Sequence, residues 1–475
     1  MIFNHKPQTL HIMNHLLSRR DFVKRTAGAA VAVSAISPSL AFAAGSDRLK
    51  VGLIGCGGRG TGALLNLLEA APGIDFVAMG DLFPDRVASS LERINDTVAK
   101  KELPTEAVQV PPERQFSGFD AYQKVLDCDP DLVILAAPPH FRPRHFEAAV
   151  EAGKHVFMEK PVAVDPAGIR KILELAGKAD QKGLRVVAGT QRRHQQHYLD
   201  IMERIRDGAI GEIVAAQCYW NMGALWVEAA RNNLDHLIAG DWTPMEYQIR
   251  NWLFHVWLSG DHIVEQHVHN IDVVNWSLDQ FPRQAMGVGG RQARTQPQYG
   301  NIFDHFAVEF EYANGLRTQS MCCQIEGSNP RVEERIVGTK GTAVLSSTSG
   351  RILGPRAYEA PESPNPYVQE HADLVRAIRQ GEVLNEAYTV ARSTASAILG
   401  RMSAYTGRMV GWDWMMNASE LDYTPEAYAF GTHPVQPVAI PGTTPLVQAA
   451  TPAGGPVQAA KRLEKARHAG PELFS

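Results

Sequence analysis

Cysteine is scarce in this chain: five residues in 475, at Cys56, Cys128, Cys218, Cys322 and Cys323. The number is odd and no spacing matches a disulfide framework or a zinc site, so neither is expected to hold the fold. Cys322-Cys323 lies in an apolar strand pattern and reads as core. Excess basic charge is also missing. Against 47 Lys and Arg stand 51 Asp and Glu, a net charge of -4, which leaves no electrostatic footprint for nucleic acid. No internal repeat is present, which excludes a solenoid or propeller. The weakly apolar run near the start, Ala27 to Ile36, is too short and too rich in alanine to span a bilayer stably.

That run belongs to a targeting pattern. Ser18-Arg19-Arg20-Asp21-Phe22-Val23-Lys24 is a twin-arginine sequence, and Ala41-Phe42-Ala43 a small-x-small cleavage site. Residues 1–43 therefore read as a signal peptide of the twin-arginine route, to be left out of fold reasoning, and the mature protein as periplasmic or otherwise exported. A protein that folds before export needs no disulfide framework, which agrees with the cysteine usage. The rest is long enough for two or three domains and a substantial core.

What is present begins with glycine. Leu49 to Ile54 reads as a buried strand, and Thr61 to Leu68 continues as a helix. Between them Gly55, Gly57 and Gly60 fit G-x-G-x-x-G in the context that makes the pattern informative. The first glycine permits the turn, the second lets a pyrophosphate approach the backbone, and the third allows close helix–strand packing. A second strand, Ile74 to Met79, ends at Asp81, where a carboxylate accepts from ribose hydroxyls and favours NAD over NADP; Arg86 stands nearby. Asp131 to Ala137 is a nearly continuous apolar run bounded by Pro138-Pro139, as a strand buried on both faces requires. His155 to Met158 leads into Glu159-Lys160-Pro161, and Asp165-Pro166 opens a helix with an N-cap and a first-turn proline.

These elements predict a Rossmann dinucleotide-binding domain over residues 46–165. Its cofactor-binding set is Gly55, Cys56, Gly57, Gly58, Arg59, Gly60, Asp81, Pro138, Glu159 and Lys160. An α+β domain with a large, mostly antiparallel sheet is expected over 166–425. Its hairpin signals lie around Ala313-Asn314-Gly315 and around Gly338-Thr339-Lys340-Gly341. Residues 426–475 are rich in Pro, Gly and Ala and read as a tail, extended over a surface or disordered.

Two stretches carry chemistry. Lys160 stands at a strand end of the nucleotide domain, where a lysine can stabilise the alkoxide formed as hydride leaves. Gly260 to Trp276, read as one helix, puts His262, Glu265, His269 and Asp272 on one stripe. A histidine flanked by carboxylates is a general base with an orienting partner. It is also ligand-like for a metal, but no further ligand cluster is evident and no metal is expected. Trp220, Trp226, Trp242, Trp252 and Trp257 offer faces for sugar rings or core packing. Gln191-Arg192-Arg193-His194 follows a strand end and could meet hydroxyls or carboxylates.

Gly55-x-Gly57-x-x-Gly60, the run Ala152-Gly153-Lys154-His155-Val156 into Glu159-Lys160-Pro161, and the segment around His269 together resemble the Gfo/Idh/MocA family of oxidoreductases over residues 49–420. The resemblance places the family's catalytic lysine on Lys160, its histidine on His269, and the acid one turn earlier on Glu265, where Asp is usual. His267 replaces a small residue, and Arg142 stands where a histidine is common. Arg192, Arg193, His267 and Asp272 become candidate substrate contacts. The implied activity is hydride transfer between NAD, or NADP, and a secondary hydroxyl of a sugar, glycoside or polyol, in a dimer or tetramer. Export implies a tightly held cofactor recycled in place. The alternatives are a redox-neutral NAD-dependent glycosidase or 3-keto-glycoside enzyme, and a non-catalytic nucleotide- or sugar-binding protein.

Overall fold

The computed structural model describes residues 48–446, so the twin-arginine pattern and the end of the tail lie outside the described residues. The first lobe is a six-stranded parallel sheet in the order β3-β2-β1-β4-β5-β6. Its strands are β1 (Leu49–Ile54), β2 (Ile74–Asp81), β3 (Gln115–Ser117), β4 (Leu132–Leu135), β5 (His155–Met158) and β6 (Val186–Ala188). Helices cover both faces, so Val51, Leu53, Ile134 and Phe157 are wholly buried. The apolar runs of the sequence are this double burial. The order reverses between β1 and β4, which opens a crevice at their carboxyl ends.

The sheet continues to Ala188, past the boundary expected at residue 165. Helix Pro166–Gln181 is the crossover that returns the chain to pair β6 with β5, and Asp165 caps it, accepting from the Gly168 N–H at 2.7 Å. A helix start therefore marks a step within the lobe, not its end.

The second lobe is a nine-stranded sheet ordered β14-β13-β12-β11-β7-β10-β9-β8-β15. Its long strands are β7 (Ile213–Met222), β8 (Gln284–Gly290), β9 (His305–Glu311), β10 (Arg317–Gln324), β11 (Arg331–Gly338), β12 (Thr342–Ser346) and β13 (Ser349–Leu353). The edges are β14 (Tyr358–Glu359) and β15 (Val410–Gly411). All neighbours are antiparallel except β7 and β10. Both hairpins fall where the turn residues put them, β9–β10 and β11–β12. Along β9 the inward residues Phe306, Val308 and Phe310 are buried while Glu309 is exposed, the period-two alternation of a half-covered sheet. Helices Val268–Leu278 and Ala387–Thr406 cover the inner face. On the outer face Met286, Val288 and Met321 remain exposed.

The C-terminal part ties the lobes together. Helix Pro366–Gln380 packs on helix Gly58–Ala70 of the first lobe. From Leu421 to residue 446 the chain has no regular structure but is held along its length. Tyr423 N–H donates to Asp165 (2.9 Å) and the Tyr428 hydroxyl meets His140 Nε2 (2.8 Å) on the first lobe. Gly431 O accepts from Met245 N–H (3.1 Å), His433 O from Gln248 Nε2 (2.7 Å) and Gln436 O from Asn301 Nδ2 (3.2 Å) on the second. Within the described residues, the expected tail is a strap between lobes.

Candidate active site

The site starts at the turn after β1. Gly55 has φ +99°, a conformation L side chains rarely adopt, and a Cβ there would meet Ala137 N at 2.3 Å. A Cβ on Gly60 would meet Gly55 O at 1.9 Å, so helix and strand can approach only without it. A Cβ on Gly57 would meet nothing within 4 Å: that position opens into the crevice. Helix Gly58–Ala70 has no side-chain cap and no acidic residue in its first turn. Its free N–H groups and positive dipole end therefore suit an anion. Gly60→Ala is expected to destabilise the fold by about 3 kcal/mol through overpacking. Gly57→Ala should unfold at the wild-type temperature and lose only dinucleotide affinity. Thermal melts with and without nucleotide check both.

The crevice encloses a cavity of about 410 Å³. Gly55, Gly57, Gly58, Arg59, Asp81 and Pro138 of the expected set line it, as does Arg86. Cys56 is buried beside it; its N–H donates to Asp81 at 2.7 Å, and Phe83 N–H donates to the other carboxylate oxygen at 3.0 Å. Burial pushes the Asp81 carboxyl up, while these two N–H bonds and Arg86 pull it back. Both oxygens keep lone pairs for a ribose.

The roof of the cavity escaped sequence reasoning. It comes from the segment after β7: helix Val227–Ala239, helix Pro244–Arg250 and the turn beyond. Trp226, Asn233, Arg250 and Trp252 line it, the two indoles edge to face at 5.6 Å. Arg250 lies 3.7 Å over the Phe83 ring and makes two bonds to Asp85, at 2.9 and 3.0 Å, tying the roof to the first lobe. The strap backs the same wall, with Phe430 against Phe83 (6.0 Å) and Phe119 (5.3 Å). The tryptophan cluster was the available signal, but of its five members only Trp220 stacks on His269, with ring centroids 5.8 Å apart.

Lys160 follows β5 and points out of the first lobe. Its Nζ donates to the main-chain oxygen of Glu265 at 2.5 Å and to Glu265 Oε1 at 3.1 Å. In an unbroken helix that main-chain oxygen would take the N–H of His269. Here the His269 N–H reaches Gln266 O at 3.4 Å instead. The expected single helix from 260 to 276 is thus two, His262–Glu265 and Val268–Leu278, parted where the lysine enters. The expected stripe is dispersed. His262 meets Gln324 Nε2 at 2.6 Å. The Glu265 carboxylate is engaged by Lys160 and Gln266 and serves the lysine, not the histidine it was expected to orient. His269 is buried. Burial, then the positive charges of Lys160, Arg192 and Arg59, hold its imidazole well below the usual histidine range. Lys160 thus binds at the break, and His269 stands in the first turn of the helix that follows it.

Of the four candidate substrate contacts, each is bound to protein. Arg193 pairs with Asp272 through two bonds of 2.9 Å, and Asp272 also accepts from Ser393 Oγ at 2.6 Å. Arg192 pairs with Glu334 in the core. His267 is fully buried with Nε2 on Ser320 Oγ at 2.8 Å. These charges neutralise one another across the lobe junction, which pairwise burial requires. Arg142 is buried too. It donates to the main-chain oxygens of Leu135 (2.6 Å), Ala137 (2.7 Å) and Glu159 (2.9 Å), capping the ends of β4 and β5. Among the described residues no group of three or more His, Cys, Asp or Glu could hold a metal, the five cysteines are unpaired, and no helix is long and apolar enough to cross a membrane.

Comparison with known proteins follows the two lobes. Residues 49–190 match the GFO_IDH_MocA model, described as an oxidoreductase family with an NAD-binding Rossmann fold, and 198–344 match the GFO/IDH/MocA C-terminal domain. An inositol 2-dehydrogenase of Acidothermus cellulolyticus is 27% identical over 64% of this chain and 74% of its own. A 2,7-anhydro-N-acetylneuraminate hydratase of Escherichia coli is 26% identical over 42% of this chain and 47% of its own. The structure of a scyllo-inositol dehydrogenase of Lactobacillus casei with bound NAD(H) and scyllo-inositol superposes with a TM-score of 0.56. It covers 77% of this chain and 99% of its own at 19% identity.

Proposed function

The chain belongs to the Gfo/Idh/MocA family of NAD-binding oxidoreductases, and from that premise we propose that it is an exported enzyme oxidising or reducing a secondary hydroxyl of a sugar, glycoside or polyol. The observation that carries this reading is Lys160 seated at the helix break one turn before His269, next to Glu159, which Arg59 of the dinucleotide turn binds. NAD would lie along Gly55, Gly57, Gly58, Arg59 and Asp81 under Trp226 and Trp252, and when bound it supplies the hydride acceptor or donor. His269, neutral at pH 7, takes the hydroxyl proton. Lys160 keeps one N–H beyond the two given to Glu265 and turns it to the oxygen as negative charge develops there. Glu265 holds that ammonium in place. The exposed Met286, Val288 and Met321 on the outer face of the second sheet support a homo-oligomer.

Export would separate the enzyme from its cytoplasmic supply of NAD, so we place the cofactor under the roof and the strap as a resident group recycled in place. Protein purified from the exported fraction should keep its nucleotide through extended dialysis, and mass spectrometry of the denatured protein should release NAD close to one per chain. Loss of the nucleotide on simple dialysis would end the resident-cofactor reading. The relatedness to a hydratase favours keeping one second reading, a redox-neutral reaction in which hydride leaves and returns. Product formation with no net change in nicotinamide absorbance and no added acceptor would select it.

A further inference from the structure

Glu159 and Lys160 are adjacent, and each is held by a different part of the molecule. Lys160 is held by Glu265. Glu159 is gripped twice. Its main-chain oxygen takes Arg142 Nε at 2.9 Å, and its Oε1 takes Arg59 Nε at 2.5 Å. Arg59 comes from the dinucleotide turn itself, the residue before Gly60, and its side chain lines the cavity. It does not stay in the crevice. It crosses to Glu159, gives its other edge to Glu370 Oε1 at 3.0 Å on helix Pro366–Gln380, and lies 4.9 Å over the Tyr367 ring. Behind the Glu159 carboxylate there is no slack, since a Cβ on Gly189 would come within 2.5 Å of its Oε2.

A surface arginine of a phosphate-binding turn has water to satisfy it. This one instead neutralises two buried carboxylates and joins the cofactor floor to the strand end that carries the lysine. We infer that Arg59 is a positioning residue: through Glu159 it fixes the main chain from which Lys160 reaches Glu265. The inference deepens the proposed function and rests on Lys160 being the lysine that meets the substrate.

The test reads the lysine directly. Acetic anhydride labelling of lysines in the full chain, quantified by peptide mass spectrometry across pH, gives the reactivity of Lys160. Lys154, just before the same strand and 13% exposed in its side chain against 10% for Lys160, is the internal control. In Arg59→Met, Lys160 should label at least fivefold faster than in wild type with Lys154 unchanged. Arg59→Lys should restore most of the protection, because an ammonium can still hold Glu159. Equal acceleration of both lysines would mean general loosening and would overturn the inference, as would no change at Lys160. Should Arg59→Met fail to fold, because two buried carboxylates then face each other, Arg59→Met/Glu370→Gln removes that conflict and must show the same selective exposure. NAD provides the separate check on function. If restoring NAD to wild type freed of its nucleotide does not slow Lys160 labelling, the lysine does not face the cofactor and the functional reading fails, whatever Arg59 does.

Discussion

A Lys160→Met variant is expected to retain NAD and its fold while losing about 10²- to 10³-fold in kcat, the cost of removing one preorganised donor from a developing oxyanion, or about 3–4 kcal/mol. The reason is geometric. An ammonium has three N–H groups, and two are committed to Glu265, so the third is available in a fixed direction. Methionine keeps the length and loses all three. Affinity for NAD should change little, because the lining of the cofactor cavity does not include Lys160. Turnover on the best substrate from a sugar and polyol screen, with nucleotide content measured on the same sample, checks both halves. Full activity in this variant would remove the mechanism while leaving the fold intact.

The second large effect is expected at His269. Replacement by Gln preserves bulk against Trp220 but removes the proton acceptor, and should lower kcat by about 10²- to 10⁴-fold. The pH profile separates this from a packing defect. Burial and three neighbouring positive charges lower the imidazole pKa well below 6.5. The group is therefore already deprotonated at pH 7, and wild-type kcat/KM should stay flat through neutrality and fall only on the acid side of that value. The residual activity of His269→Gln should lack this acid limb. An acid limb that persists unchanged in the variant would assign it to another group and His269 to packing.

The glycine turn that lines the cavity was legible because it is local. Gly55, Gly57 and Gly60 answer to a turn, an opening and a helix–strand contact within one βα unit, and each shows its own steric reason. Asp81 falls at the end of the adjoining strand. The roof was not legible. Trp226, Asn233, Arg250 and Trp252 reach the cavity from the second lobe, and nothing in their spacing distinguishes a roof from a core. The same limit hid the protein partners of Arg192, Arg193, Asp272 and His267. Their types suit a substrate, but a charged or polar side chain far along the chain binds each of them, among them Glu334 and Ser320.

The break between Glu265 and Val268 marks the boundary between the two kinds of knowledge. Apolar periodicity and turn chemistry by themselves determined the parallel sheet, the crevice at its carboxyl edge, the antiparallel second lobe and its two hairpins, because burial and backbone geometry act over a few neighbouring residues. Only the tertiary structure decided that the 260–276 segment is two helices, that Glu265 serves Lys160, and that the chain after Leu421 binds both lobes. In each case the deciding partner lies on the order of a hundred residues or more away in sequence. A backbone oxygen accepts the nearest well-aligned donor, and here that donor was a lysine ammonium 105 residues earlier.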